Sequence, residues 1–382
     1  MNPITITDSI RSIPRDQWDT LAEDSILAGY GWLLTVEECF LNQITPKYFL
    51  FKDSDRISGA AVCYLVPRGV KMISSDDLLF GRLKKFLNLL GISSLPVMVC
   101  GPLKPDGKHI LLERSLDPLK QENIVEKLLD AVEKEARGKK VSLLFRRIFD
   151  QEDILLKQLK KRQYFQTIDF PMTYMDIIWN SFDGYKKYVQ KRCRNMKGHI
   201  VTEINRNQKA GVTIEKVINL NEQEKCFYDL LNKHYLRHNS RPLPFKADFL
   251  SRLKKNFGDD LVIYRSVKKD RISGVAVMLK SGDIGHLPFV GIDHDLTQDD
   301  FTYFNICFYR PISDAITENI KRIYYGTGPY YPKLRRGCNV KKGYFFHKSF
   351  HPIAKWMLRF WFLLHNYWYQ KKLPQPQKTV ED

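Results

Sequence analysis

Apolar residues along this chain come in short runs broken by polar turns, and the arrangement occurs twice. YFLF at 48–51 passes through a charged turn into ISGAAVCYLV, the apolar run, polar turn and apolar run of a β-hairpin. LVIY at 261–264 leads in the same way into ISGVAVMLK. The segments DRISGAAV (55–62) and DRISGVAV (270–277) differ at one position and lie 215 residues apart. After each hairpin come a further strand, an amphipathic helix and another strand. In the first half these are PVMVCGPL (96–103), ENIVEKLLDAVEKEARG (122–138) and VSLLFRRI (141–148). Ile124, Leu128, Leu129 and Val132 fall on one face of that helix. In the second half they are HLPFVGID (286–293), FTYFNICFYRPISDAITENI (301–320) and RIYYGTG (322–328), with Pro311 marking a kink or junction in the helix. This order predicts a duplicated α+β unit. The boundary falls near residue 170, with domains over 1–170 and 171–350 and a long helix over 181–209 opening or bridging the second.

Composition narrows the class. With 382 residues, 43% hydrophobic and 27% charged, the chain is long and apolar enough for two cores, which excludes a disordered or collagen-like polymer. Lys and Arg number 61 against 43 Asp and Glu, a net charge of +18 that favours an anionic partner: nucleic acid, an anionic membrane or a phosphate-bearing donor. Seven scattered cysteines with no ligand spacing read as thiols of a reducing compartment. The N-terminus lacks the pattern of a secretory signal, and no run reaches the roughly 20 apolar residues that span a bilayer. Residues 351–372, HPIAKWMLRFWFLLHNYWYQKK, mix aromatics with cations as an interfacial helix does, and FGRLKKFLNLLG (80–91) is of the same kind. Residues 373–382 read as a disordered tail. A cytoplasmic protein, peripheral at the inner membrane, is expected.

The second half carries a family resemblance. MTYMDIIWNSFDGYKKYVQKRCRNMKGHIVTEINRNQKAGVTIEKV (172–217) resembles the opening of the second domain of Fem-type transferases of the GNAT superfamily, with Lys191, Arg192, Arg194 and Asn195 as its basic cluster. The likeness continues through PLPFKADFLSRLKKNFGDDLVIY, the second hairpin and GTGPYYPKLRRGCNVKKGYFFHKSF (326–350). There Lys333, Arg336, Gly337, Tyr344 and His347 match the signature of proteins described as peptidoglycan biosynthesis/recognition. The resemblance implies two tandem GNAT-like domains with mixed, mostly antiparallel sheets flanked by helices. It also implies transfer of an acyl group from a thioester or an aminoacyl-tRNA ester to an amine. Where GNAT enzymes hold the coenzyme A pyrophosphate in a glycine-rich loop, this chain has GIDHDLTQDDF, with one glycine and an acidic character.

Candidate site residues follow. Lys333, Arg335 and Arg336 form a basic cluster after a glycine-rich strand end, suited to phosphate or carboxylate recognition. His347, Tyr344 and His286 are the titratable groups for proton transfer during aminolysis. Arg192, Arg194 and Asn195 belong to a basic helix suited to tRNA, coenzyme A or lipid phosphates. His234, Tyr235 and His238 in NKHYLRHN suit a pocket wall; with no Asp or Glu completing a ligand set nearby, no metal is expected. The leading expectation is an N-acyltransferase moving an acyl group from acyl-coenzyme A or an acyl carrier protein to a primary amine of a lipid, such as a long-chain base, as a ceramide synthase does. No permanently bound cofactor and no DNA partner are expected. The alternatives are a Fem-type transferase drawing on aminoacyl-tRNA to modify a lipid-linked cell-wall precursor, and a non-catalytic recognition protein on the same fold.

Overall fold

The computed structural model describes residues 4–23, 25–41, 44–68, 70, 84–89, 95–103, 107–220, 223–351 and 361–362. The chain divides into two compact units. The first comprises Met1–Glu37, Asn42–Pro171 and Lys342–Pro374; the second comprises Glu38–Leu41 and Met172–Lys341.

The first unit opens with β1 (Ile4–Thr7), α1 (Arg15–Ala22), α2 (Tyr30–Cys39) and the hairpin β2 (Thr45–Asp53) and β3 (Arg56–Val66). There follow α3 (Lys84–Leu89), β4 (Val97–Cys100), β5 (Ile110–Leu112), α4 (Pro118–Gly138), β6 (Ser142–Ile148), α5 (Asp153–Lys161) and β7 (Phe165–Asp176), whose first half belongs here. Helix α4 starts where Asp117 accepts the amide of Lys120 at 3.0 Å and Pro118 takes the first helical position. Ile124, Val125, Leu128, Leu129, Val132 and Ala136 are buried in a core shared with Phe49, Met98, Leu143 and Phe145 of the sheet. Strand order runs β1-β2-β3-β4-β6 and then to β13 (Asn339–Lys348).

The second unit holds α6 (Phe182–Arg192), α7 (Met196–Lys209), β8 (Thr213–Lys216), α8 (Glu224–Asn239), α9 (Phe249–Phe257), β9 (Leu261–Lys268), β10 (Arg271–Ser281) and β11 (Ile284–Ile292). Thr302–Phe304, the π turn Asn305–Tyr309 and Arg310–Thr317 then run on as one helix, α10, before β12 (Arg322–Gly326) and α11 (Tyr330–Arg335). Strand order is β7-β12-β11-β10-β9-β8. Tyr185, Val189, Met196 and Ile200 of α6 and α7 pack with Ile306, Phe308 and Ile312 of α10 over Met175, Met278 and Ile323.

The fold is therefore α+β, with mixed, mostly antiparallel strands flanked by helices. Among the described pairings, β4–β6 and β11–β12 are parallel, each bridged by an amphipathic helix, α4 or α10. The sequence echo extends to the backbone. In the first hairpin the register slips at Ser58, since Lys52 pairs with Ile57 and Phe51 with Gly59. In the second it slips at Ser273, since Val267 pairs with Ile272 and Ser266 with Gly274. The next residue in each copy is a glycine that something crowds: a Cβ on Gly59 would lie 2.5 Å from Ile124, and one on Gly274 would lie 2.8 Å from Ser266 Oγ.

Three features differ from the sequence reading. The helix expected over 181–209 is two helices. Cys193 is extended and Asn195 takes the left-handed conformation (φ 66°), a break that helical periodicity on either side conceals. Pro311 stands at the expected junction, but the segment before it is a π turn, which the sequence reading did not foresee. Lys342 onward groups with the first unit, because Phe346 is buried in that unit's core and Tyr344 and Phe350 pack against it. No helix among the described residues is long and apolar enough to cross a membrane. Most of the aromatic segment 351–372 and all of 373–382 lie outside the described residues. Within that segment Phe362 is buried, stacked on Phe165 at 5.7 Å. On α3, Phe86 and Leu89 are exposed.

Candidate functional site

In the second unit, β11 and β12 pair in parallel only from Ile284↔Arg322 to His286↔Tyr324, after which β11 runs on to Ile292. At the last paired position the buried imidazole of His286 stacks on Tyr324, ring centroids 4.7 Å apart. Tyr324 pairs in turn with Tyr174 of β7, 6.0 Å between rings. Arg322 lies 4.5 Å over the Tyr174 ring and is bonded to Asp176 at 2.6 Å. Burial, with the Asp176 carboxylate adding to it, pushes the Tyr174 phenol upward, so it stays protonated and able to donate. The result is a row of rings and one ion pair beside the end of the parallel pairing, with an imidazole at its head.

The strand end beyond this row is held by the predicted lysine. Lys333 is buried, and its Nζ donates to the Tyr325 carbonyl at 2.7 Å, with the Gly326 and Thr327 carbonyls 3.4 Å away. Thr173 Oγ1 also donates to the Gly326 carbonyl at 2.6 Å. Arg336 is buried too. Its Nη2 donates to both Glu203 oxygens at 2.6 and 2.7 Å, its Nε donates to Tyr309 Oη at 3.0 Å, and its guanidinium covers the Phe304 ring at 3.3 Å. Tyr309 in turn donates to Glu203. Arg335 is half-buried against Tyr331, 5.5 Å from the ring. Lys333 and Arg336 thus set the backbone and core around the strand end.

The basic helix keeps part of its charge outward. Arg192 is engaged, donating to Tyr188 Oη, the Gly337 carbonyl and Asn339 Oδ1 at 2.8 to 3.2 Å. Lys187, Lys191, Arg194 and Asn195 are exposed, followed along α7 by Arg206 and Lys209.

The start of α10 decides what kind of anion can approach. Asp300 is buried, and its Oδ1 accepts the Thr302 amide at 2.9 Å and the Thr302 hydroxyl at 2.7 Å. Lys268 Nζ donates to Asp300 Oδ2 at 2.7 Å, and Asn207 Nδ2 donates to the Asp300 carbonyl at 3.0 Å. The positive end of the helix is therefore answered by the chain's own carboxylate, where a pyrophosphate would otherwise sit. In the first unit an exposed carboxylate, Asp117, also occupies the start of α4, there as the N-cap that accepts the Lys120 amide.

The remaining predicted residues lie elsewhere. His347 and Tyr344 are on the part of β13 that groups with the first unit, His347 opposite Leu144 and Tyr344 opposite Ile148. Burial holds His347 down at about 4, a neutral imidazole at physiological pH. The Tyr344 phenol is pushed up by burial and by Asp150. His234 and His238 are on α8, with His234 facing a third imidazole that sequence reading missed, His294, at 3.3 Å between nitrogens. Tyr235 is half-buried on the same helix. Also missed were Glu203, Asp300 and the first unit's buried His109–Glu152 pair (2.9 Å). Glu203 and His109 find their partners tens of residues or more away in sequence, and although Asp300 caps the nearby Thr302, its other partners, Lys268 and Asn207, are as distant, so no local motif marks the pairing.

Comparison with known proteins places this geometry. No curated protein sequence matches the chain. Its structure is similar to FemX, with 10% identity, a TM-score of 0.54 and coverage of 87% of this chain and 96% of that one. It is equally similar to L-PGS from Bacillus licheniformis (10% identity, TM-score 0.54, 92% and 97% coverage). A third match is the C-terminal domain of a putative lysylphosphatidylglycerol synthetase from Agrobacterium fabrum (10% identity, TM-score 0.53, 90% and 93% coverage). At these identities the likeness shows a shared fold. The FemAB-like family model, described as peptidoglycan biosynthesis/recognition, matches residues 9–373. The chain accordingly belongs to the FemAB-like family.

Proposed function

We propose that this protein is an aminoacyltransferase that takes its donor group from aminoacyl-tRNA and passes it to an amine on a membrane-linked precursor. The observation that carries this reading is the buried Asp300 at the start of α10. A coenzyme A pyrophosphate brought to that helix end would meet a carboxylate already bonded to the first helical amide. A tRNA ester needs no such cradle. Its phosphates can be gripped over a wide area by exposed cations, which α6, α7 and the break between them supply in Lys187, Lys191, Arg194, Arg206 and Lys209. The structural relative whose name specifies an aminoacyl lipid, a putative lysylphosphatidylglycerol synthetase, supports an aminoacyl donor and a membrane-linked acceptor. Phe86 and Leu89 on α3 support peripheral membrane contact. The duplicated hairpin slip and the two parallel pairs support a tandem origin for the two units.

In this reading the donor carbonyl lies where β11 and β12 part. The acceptor amine attacks the ester carbon, the C–N bond forms as the bond to the ribose oxygen breaks, and the amine's proton passes to His286. The leaving hydroxyl is protonated from Tyr324 or solvent. Lys333 and Thr173 fix the strand end that frames the carbonyl.

The test supplies the purified full-length protein with a bacterial tRNA pool charged with radiolabelled amino acids and with membrane lipid extract, and in parallel with long-chain acyl-coenzyme A. Label moving from tRNA to the lipid fraction, with kcat reduced about 100-fold or more in His286→Asn, is the expected result. A protein that leaves charged tRNA intact but consumes acyl-coenzyme A in the presence of an amine lipid would overturn it and restore the acyl-thioester expectation.

A further inference from the structure

Three histidines outside the row of rings converge on one point. His234 and His238 are one turn apart on α8, and the segment leaving β11 brings His294 beside them. One nitrogen from each ring lies within 4.8 Å of the other two, and His294 Nε2 is 3.3 Å from His234 Nδ1. Ring centroids are 4.5, 5.4 and 6.2 Å apart. A tetrahedral metal bound through nitrogens at about 2.0–2.1 Å holds its ligand nitrogens roughly 3.3 Å apart, so one pair already stands at that spacing. A proton shared between His234 and His294 serves those two nitrogens and leaves the His238 ring facing them. A cation serves all three.

The platform is rigid. Helix α8 meets β11 at Gly291, where a Cβ would come within 2.6 Å of the Leu230 carbonyl carbon and the Leu231 amide nitrogen, so backbone touches backbone three residues before His294. Asp293 Oδ1 accepts the amides of Asp295 and Leu296 at 3.1 and 3.3 Å, fixing the turn that carries His294. The nearby Lys233 is paired with Asp295 at 2.9 Å and Asp293 at 3.7 Å, which offsets its repulsion of a cation. Arg237 is exposed, as is His238, which leaves a way in from solvent.

We propose that His234, His238 and His294 form a binding site for one divalent transition-metal ion of the zinc class, with a fourth position open to water or a ligand. Three imidazoles without a carboxylate or thiolate select zinc, copper or nickel over magnesium or calcium. Bound there, the ion ties α8 to the segment that leads to Asp300 and α10. The proposal stands apart from the aminoacyl-tRNA reading, since it depends only on these side chains.

The experiment uses tag-free, full-length protein stripped with chelator and dialysed. It is titrated with zinc chloride against a chromogenic chelator, with melting temperature followed in parallel. One equivalent of zinc bound saturably, with a rise in Tm through linkage, is expected. His294→Ala, a half-buried loop position, should abolish both, and Cys226→Ser, which removes an exposed thiol on the same helix, should change neither. Absence of saturable binding in the unaltered protein would overturn the proposal. So would a folded His294→Ala that still binds one equivalent, or loss of the equivalent in Cys226→Ser.

Discussion

Replacing Arg336 by alanine removes the cation from a site that water does not reach. Arg336 and Glu203 are 4% and 7% exposed, and their pair, one guanidinium nitrogen on both carboxylate oxygens, is completed by Tyr309 and by the Phe304 ring. Deleting one partner of a buried pair strands the other charge in a poorly solvating interior, at a cost of about 3–5 kcal/mol. That is a large share of the roughly 5–15 kcal/mol by which a folded domain is stable. At about 2–4 °C per kcal/mol for a domain of this size, the melting temperature should fall on the order of 10 °C. The double replacement Glu203→Gln with Arg336→Ala removes both charges and should cost clearly less than the two single losses together, so the cycle of unaltered protein, two singles and double reads out the pairing itself. Urea denaturation of the four proteins checks this. If Arg336→Ala stayed within about 0.5 kcal/mol of the unaltered protein, or if the two single losses simply added, the pair would not hold this core together.

Three further outcomes follow from the geometry. His347 is buried, its Nδ1 has no hydrogen-bond partner among the described residues, and it titrates at about 4. It therefore adds nothing above pH 6.5 and destabilises the fold increasingly as pH falls from 6.5 toward 4. His347→Leu should lose about 2 kcal/mol less than the unaltered protein between pH 7 and pH 5, measured by urea unfolding at each pH. Gly291→Ala should destabilise by about 1–3 kcal/mol, because its methyl meets backbone, whereas Gly198→Ala on α7, with open space around it, should stabilise by about 0.5–1 kcal/mol. Asp300→Ala should cost about 1–2 kcal/mol through the lost cap and the stranded Lys268, and its thermal shift with coenzyme A tests whether this carboxylate is what keeps the pyrophosphate away.

Periodicity along the chain reveals elements well and partners poorly. The two hairpins, α4, β6, α10 and β12 are all visible in the alternation of apolar and polar residues, because each buries one face. The break at Cys193–Asn195 is hidden, since the apolar positions of α6 and α7 stay nearly in phase across it. Lys333 and Arg336 stand out as a basic cluster, yet their atoms are engaged by carbonyls at 325–327 and by Glu203, a carboxylate 133 residues earlier. His234 and His238 show their shared helical face in the sequence, while His294 arrives from the far side of a hairpin. A side chain's reach is set by tertiary proximity, and one-dimensional spacing reports that only within a helix or across a tight turn.

The placement of β13 has a consequence for how the protein comes into being. The first unit's core contains Phe346, and Lys348 bonds to both oxygens of the buried Glu133, more than two hundred residues upstream. A ribosome that has made residues 1–171 has therefore made a unit still missing its final strand. That unit waits, with one sheet edge unpaired, through synthesis of the whole second unit. Cutting the gene at the apparent boundary would freeze the chain in this state, so a fragment ending near residue 171 should be aggregation-prone. A chain cut shortly before residue 342 would hold nearly all of the second unit while the first still lacked the strand that closes its sheet.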